Sequence, residues 1–131
     1  MLEWPNAERE LREWLKARTG REVYTETNST LEENLPAYQI TRVGGAGWAR
    51  RWIDRSVDIE LDSIAGSRGD MWSAAERAAT AMLALRANGT AEMYVDDVEE
   101  LFAPAVEPYE NSTIRRCTAT YRLTLRPRTT Q

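Results

Sequence analysis

Ile53-Asp54-Arg55-Ser56-Val57-Asp58-Ile59-Glu60-Leu61-Asp62-Ser63-Ile64 is the stretch that decides the fold. Ile53, Val57, Ile59 and Leu61 fall on one side, and Asp54, Asp58, Glu60 and Asp62 on the other. That period of two belongs to a strand with one face on a core, running from about Arg51 to Ile64. The end of the chain repeats the pattern from Ile114 to Arg126. There Cys117, Ala119, Tyr121, Leu123 and Leu125 alternate with Arg116, Thr118, Thr120, Arg122, Thr124 and Arg126. Pro127 and the polar residues after it end the second strand.

Between these strands the period changes. Ala65-Gly66-Ser67-Arg68-Gly69 breaks the first strand, and Asp70 is the expected N-cap of a helix. Met71, Ala75, Ala78, Ala79, Met82 and Leu83 then share one helical face, and Asn88-Gly89 ends the element. So many alanines allow a close approach to a sheet. Ala91 to Val95 reads as a short strand, whereas Asp96 to Phe102 fits either a strand or a helical turn. Pro104 and Pro108 hold the chain extended or turning, and neither suits a central strand.

Towards the N-terminus, Pro5 to Arg18 reads as a helix with Ala7, Leu11, Trp14 and Leu15 as its apolar stripe. Trp4 is placed to pack on its first turn, and Gly20 to stop it. Glu22 to Glu26 carries a short strand signal, and Thr27 to Pro36 reads as a loop. Ala37 to Val43 alternates as a strand with mixed faces. The glycines of Gly44-Gly45-Ala46-Gly47 join it to the long strand as a hairpin. The order predicts an α+β fold: a mostly antiparallel sheet of about four to five strands, covered on one face by two helices.

At 131 residues the chain has the size of one domain, so residues 1–131 are read as a single unit. Its net charge of −4 argues against a dedicated nucleic-acid binder. No apolar run is long enough to span a membrane, and Met1-Leu2-Glu3-Trp4-Pro5 lacks a secretory pattern. A soluble protein made in the cytoplasm is expected. The absence of histidine removes the commonest general base and metal ligand. With Cys117 as the single cysteine, no disulfide within the chain and no thiolate zinc site can form. A buried, reduced thiol is expected instead. Asn28-Ser29-Thr30, Asn88-Gly89-Thr90 and Asn111-Ser112-Thr113 fit the glycosylation pattern, but without a secretory route they read as polar turns. Lys16 is the only lysine among 17 basic residues. This arginine bias suits planar interface contacts, and GC-rich coding produces it equally well.

Several clusters bear on function. The glycine-rich turn resembles a phosphate loop only superficially, because a strand follows it where a helix N-terminus is needed. Trp48, Arg50, Arg51 and Trp52 border it, and those residue types dominate binding hot spots; packing on the chain's own core is the plainer alternative. On the acidic face of the long strand, residues two apart are about 7 Å apart. A solvated surface is the plain reading, with charge pairing or a divalent metal as the others. Arg115, Arg116, Arg122, Arg126 and Arg128 make the end of the chain basic. Tyr121 lies on the other face and offers no stacking platform for nucleic acid. Pairing with an acidic strand is expected, and Asp96, Asp97, Glu99 and Glu100 are one candidate partner.

The layout also resembles a known family. Leu35-Pro36-Ala37-Tyr38-Gln39-Ile40-Thr41-Arg42-Val43-Gly44-Gly45 is similar to a segment of the tail terminator proteins of long-tailed (siphovirus-type) bacteriophages. In the same order come Val57-Asp58-Ile59-Glu60-Leu61, the alanine-rich helix, Pro104 with Pro108-Tyr109-Glu110-Asn111, and Arg115-Arg116-Cys117-Thr118-Ala119-Thr120-Tyr121. The similarity spans about Leu35 to Arg126. It implies a homo-oligomer, a hexameric ring that caps the tail tube protein, stops its polymerisation and joins the head–tail connector or stopper. Such a ring lies at the head-proximal end of the tail in the virion. It uses no cofactor, metal or catalytic residue, and genomic DNA passes through it without specific binding.

On that basis Trp48, Arg50, Arg51 and Trp52, with Arg115 and Arg116 of the basic strand, are the expected subunit-interface residues. Asp54, Asp58, Glu60 and Asp62 are the expected channel-facing acids, whose charge repels phosphate. Another head-to-tail component, such as a stopper or neck protein, fits the same size and composition. A small metal-dependent enzyme built on the acidic strand and a ligand-binding α+β domain are the readings from other classes.

Overall fold

The computed structural model describes residues 2–26, 29–44, 55–90 and 92–129. Strand β1 (Leu2–Glu3) precedes helix α1 (Ala7–Thr19). Asn6 caps α1 by accepting the Arg9 amide at 3.1 Å. Gly20, in the left-handed conformation at φ 71°, ends it and donates its N–H to the Lys16 carbonyl. Strands β2 (Val23–Tyr24), β3 (Ala37–Gly44) and β4 (Arg55–Ala65) follow. Next come α2 (Arg68–Leu83), the single turn α3 (Leu85–Asn88), β5 (Tyr94–Glu107), β6 (Arg115–Arg126) and β7 (Arg128–Thr129).

The main sheet has five strands in the order β2-β3-β4-β6-β5, and β1 pairs with β7 apart from it. Every neighbouring pair in the main sheet is antiparallel except β2–β3, which is parallel. This is the expected α+β architecture, with β3 and β4 as the expected hairpin pair. Its two long strands, β4 and β6, lie side by side in the interior, paired without a break from Arg55↔Leu125 to Ala65↔Arg115.

Helices α1 and α2 cover one face. Val57, Ile59 and Leu61 of β4 and Ala119, Tyr121, Leu123 and Leu125 of β6 pack there against Leu11, Leu15, Ala78 and Met82. Small side chains let α2 lie close enough for the buried Tyr38 hydroxyl to donate to the Ala74 carbonyl at 2.7 Å. Trp14 likewise donates its indole N–H to the Ala81 carbonyl at 2.8 Å, tying α1 to α2. Trp4 packs on the same core, as its position suggested.

Several details differ from the sequence reading. Ser67, not Asp70, caps α2: its hydroxyl accepts the Asp70 amide at 3.2 Å, which places Asp70 inside the first turn. Leu83, expected on the apolar face, is exposed: the buried stripe of α2 runs through Met71, Ala74, Ala78, Ala81 and Met82, and Leu83 lies about 100° round the helix from Met82. Asp96 to Phe102 is strand, and β5 continues through Pro104. That proline is tolerated because β5 is an edge strand and its register shifts between Phe102 and Ala105. Within the expected loop, Leu31–Glu33 forms a 3-10 turn that buries Leu31. With Ala37, Ile64 and Ile114, Leu31 makes a second small core.

Candidate functional site

The helices pack on one face only, and the chemistry gathers on the other face of the sheet. Asp58, Glu60 and Asp62 of β4 stand beside Arg122, Thr120 and Thr118 of β6 in the register. The expected acidic and basic strands are therefore direct neighbours. Arg122 donates Nε to Asp58 Oδ1 at 2.8 Å and Nη2 to Asp58 Oδ2 at 3.0 Å. Asp62 accepts the Thr118 hydroxyl at 2.6 Å, and Arg116 Nη1 lies 4.0 Å from its other oxygen. On the far side of β6, Arg126 donates to Asp96 at 2.8 Å. The basic strand thus finds acids on both flanks, and β4 supplies more of them than the segment around Asp96 singled out from sequence.

The three acids differ in environment. Asp62 is buried at 7% exposure, where the loop holding Leu31 and the turn at Tyr109 close over the end of the sheet. Burial holds its carboxyl above the ordinary carboxylate range, and the Thr118 hydrogen bond only partly offsets this. Glu60 is half-buried and also raised, first by burial and then by the neighbouring Asp62 charge. Asp58 has the bidentate guanidinium partner. Residue spacing gives the three equal weight; their depth and partners separate them.

Arg116 is half-buried with its guanidinium 5.9 Å from the Tyr109 ring, and its Nε is buried without a hydrogen-bond partner. Arg115 is exposed and donates to the Ser112 carbonyl at 2.6 Å. Next to Arg116 lies a cleft of about 590 Å³, lined also by Gln39, Tyr109, Glu32 and Glu110. Both signs of charge face it, so it has no evident preference for an anion. Among the described residues, no group of three or more Asp, Glu or Cys side chains is placed to hold a metal ion. Cys117 is buried and free, as expected, and burial pushes its thiol up to about 11.

Trp48, Arg50, Arg51, Trp52 and Asp54 lie outside the described residues. A surface on β5 has no counterpart among the sequence-based expectations. Leu101-Phe102-Ala103-Pro104-Ala105-Val106 is a run of six apolar residues, of which Phe102 is 70% and Val106 44% exposed. The run is visible in the sequence, where Pro104 was read only as holding the chain extended or turning.

No protein-family model matches the chain, and no curated protein matches its sequence. Among solved structures, the fold is similar to that of a chain from the virion of a native gene transfer agent (GTA) particle. The TM-score is 0.63 at 13% identity, over 91% of this chain and 93% of that one. At that identity the likeness is one of fold, and it extends across nearly the whole of both chains.

Proposed function

We propose that this protein is a structural, non-catalytic subunit of a phage-type virion. Within that class we propose a tail terminator: a hexameric ring that ends tail-tube growth and joins the tube to the head–tail connector. The observation that carries the virion role is the fold similarity to a virion chain over nine-tenths of both lengths. The narrower role rests on the ordered motifs from Leu35-Pro36 to the final strand. A chain without histidine, whose one thiol is buried, suits assembly better than acid–base or nucleophilic chemistry.

In this reading Trp48, Arg50, Arg51 and Trp52 meet the neighbouring subunit, with the exposed Arg115 at the rim of the contact. Arg116, Arg122 and Arg126 contribute inside their own subunit, through Asp62, Asp58 and Asp96. The acidic face of β4 turns towards the channel, so that DNA slides past without binding. Because Arg122 matches Asp58 and Arg116 lies beside Asp62, Glu60 supplies most of the repulsion there. The test is the solution mass and negative-stain appearance of the purified protein, alone and mixed with tail tubes. Six-fold rings, or caps that stop tube growth, support the terminator. A chain that ignores tube ends and binds the connector is a stopper or neck protein instead.

A further inference from the structure

The cleft beside Arg116 takes its floor and its walls from separate parts of the chain. Gln39 of β3, Asp62 of β4 and Thr118 of β6 form one row across the polar face. Arg116 stands two residues further along β6 on the same face. Over this end of the sheet lie the 3-10 turn at Leu31–Glu33 and the connection from β5 to β6, residues 108–114. The Tyr109 hydroxyl donates to Glu32 Oε1 at 3.3 Å and ties the two walls together. Leu31 and Tyr109 are also joined beneath, through the small core around Ile64. The space they enclose is about 590 Å³, within the roughly 300–1,000 Å³ of ligand pockets.

The charges around it do not balance. Glu32 and Glu110 line the cleft against one base, Arg116. That base already serves the strands behind it: Nη1 lies 4.0 Å from Asp62, and Glu107 is its direct neighbour in the β5–β6 register. Glu60 and Asp62 are held up first by burial, and the Glu107 charge adds to this in both. Arg115, the next base along β6, donates to the Ser112 and Ile114 carbonyls. The excess is negative and spread out. Among the described residues no three acids converge as a metal ion needs.

Acids alone attract any cation, and Arg116 narrows the choice. Its Nε is buried without a hydrogen-bond partner and its contact with Asp62 is long, so the guanidinium keeps unused donor capacity. A metal ion or a polyamine brings no acceptor for that guanidinium and is repelled by it. A peptide brings both parts: a main-chain carbonyl for Arg116 and, on a basic residue, a cation for Glu32 and Glu110. Leu31 and Pro108 offer apolar walls to the methylene stem of such a side chain, and Tyr109 an aromatic one.

We propose that this cleft docks a segment of a partner protein that presents an arginine or lysine side chain to Glu32 and Glu110 and a main-chain carbonyl to Arg116. The site does not depend on the ring-forming reading. Its test is a titration of the isotope-labelled protein at low ionic strength, followed by NMR, with acetyl-Gly-Arg-Gly-amide as the probe. Saturable shifts at the Gln39 and Asn111 side-chain amides are expected. Half-saturation on the order of 1 mM is expected, because a single side chain at a solvated rim binds weakly.

Glu32→Gln/Glu110→Gln removes two exposed charges, and circular dichroism checks its fold. It is expected to weaken binding about tenfold. Acetyl-Gly-Glu-Gly-amide and spermidine are expected to leave the same signals unmoved. No saturable shift up to about 20 mM probe, or shifts that the double variant leaves unchanged, overturn the proposal. Tighter binding of the glutamate peptide overturns it too, by making Arg116 the recognition element of an acidic ligand. Spermidine that binds as tightly as the arginine peptide makes a free polyamine the occupant, and the docked segment is then wrong.

Discussion

Arg122 holds Asp58 across the two interior strands by a bidentate contact, at 2.8 and 3.0 Å, between residues directly opposite in the β4–β6 register. Without Arg122, Asp58, Glu60 and Asp62 stand about 7 Å apart along one strand face, with Arg116 beside Asp62 at one end. Without Asp58, Arg122 still has Glu99 beside it on β5. The pair is therefore asymmetric in consequence. Arg122→Gln is expected to lower the melting temperature more than Asp58→Asn does, and the double variant to recover part of the loss. Added salt should narrow the Arg122→Gln deficit by screening the carboxylates from each other. Equal melting temperatures for the two single variants would contradict this account.

Asp62 sets a dependence on pH. Its carboxyl is raised in the folded chain, chiefly by burial, and Glu60 is raised in the same direction. The folded state therefore holds these protons at pH values where the unfolded chain has released them. Their contribution is most favourable below the unfolded pKa and is lost as pH rises through the folded one. Asp62→Asn keeps an acceptor for the Thr118 hydroxyl and removes the buried charge. It is expected to melt a few degrees above the wild type at neutral pH, with the difference closing by about pH 4. Melting curves of both proteins across that range check it, and a gap that widens in acid would refute it.

Cys117 is expected to be inert in the native protein. It is 1% exposed, and its thiol is raised to about 11 by burial between β6 and α2. At pH 8 the thiolate fraction is then lower than for a free cysteine by a factor on the order of 100. Labelling with a thiol reagent should be slower by at least that factor in buffer than in concentrated urea. Fast labelling of the folded chain would mean that the β6 face opens.

Sequence periodicity exposed the parts of this fold whose burial is one-sided and local. Val57, Ile59 and Leu61, like Tyr121 and Leu123, alternate with polar residues because one face packs under the helices and the other carries the polar side chains. The spacing of Ala75, Ala78 and Met82 identified α2 for the same reason. What stayed hidden depends on neighbours distant in sequence. Asp58 and Arg122 are 64 residues apart, and only the strand order shows that the acidic and basic faces are one surface. Pro104 argued against a central strand, and only the whole sheet shows that β5 lies at its edge, where the proline is tolerable. Phe102 was missed with it, although the unbroken apolar run around it was the available signal. The residues from Trp48 to Trp52, read from the sequence as interface chemistry, lie outside the described residues.

The N-cap of α2 gives a test that separates a residue's type from its position. Ser67 and Asp70 are both good caps by composition, and they sit three residues apart. Ser67 has extended backbone, and its hydroxyl accepts the Asp70 amide, whereas Asp70 is already helical. Asp70 then contributes only by placing negative charge near the N-terminal end of the helix dipole. Ser67→Ala is expected to cost about 1 kcal/mol through the unpaired amide. Asp70→Ala is expected to cost roughly 0.3–0.5 kcal/mol, a loss that shrinks in salt. Urea denaturation of the two variants at low and high ionic strength distinguishes them. A larger, salt-insensitive loss at Asp70 would return the cap to the residue that composition alone suggests.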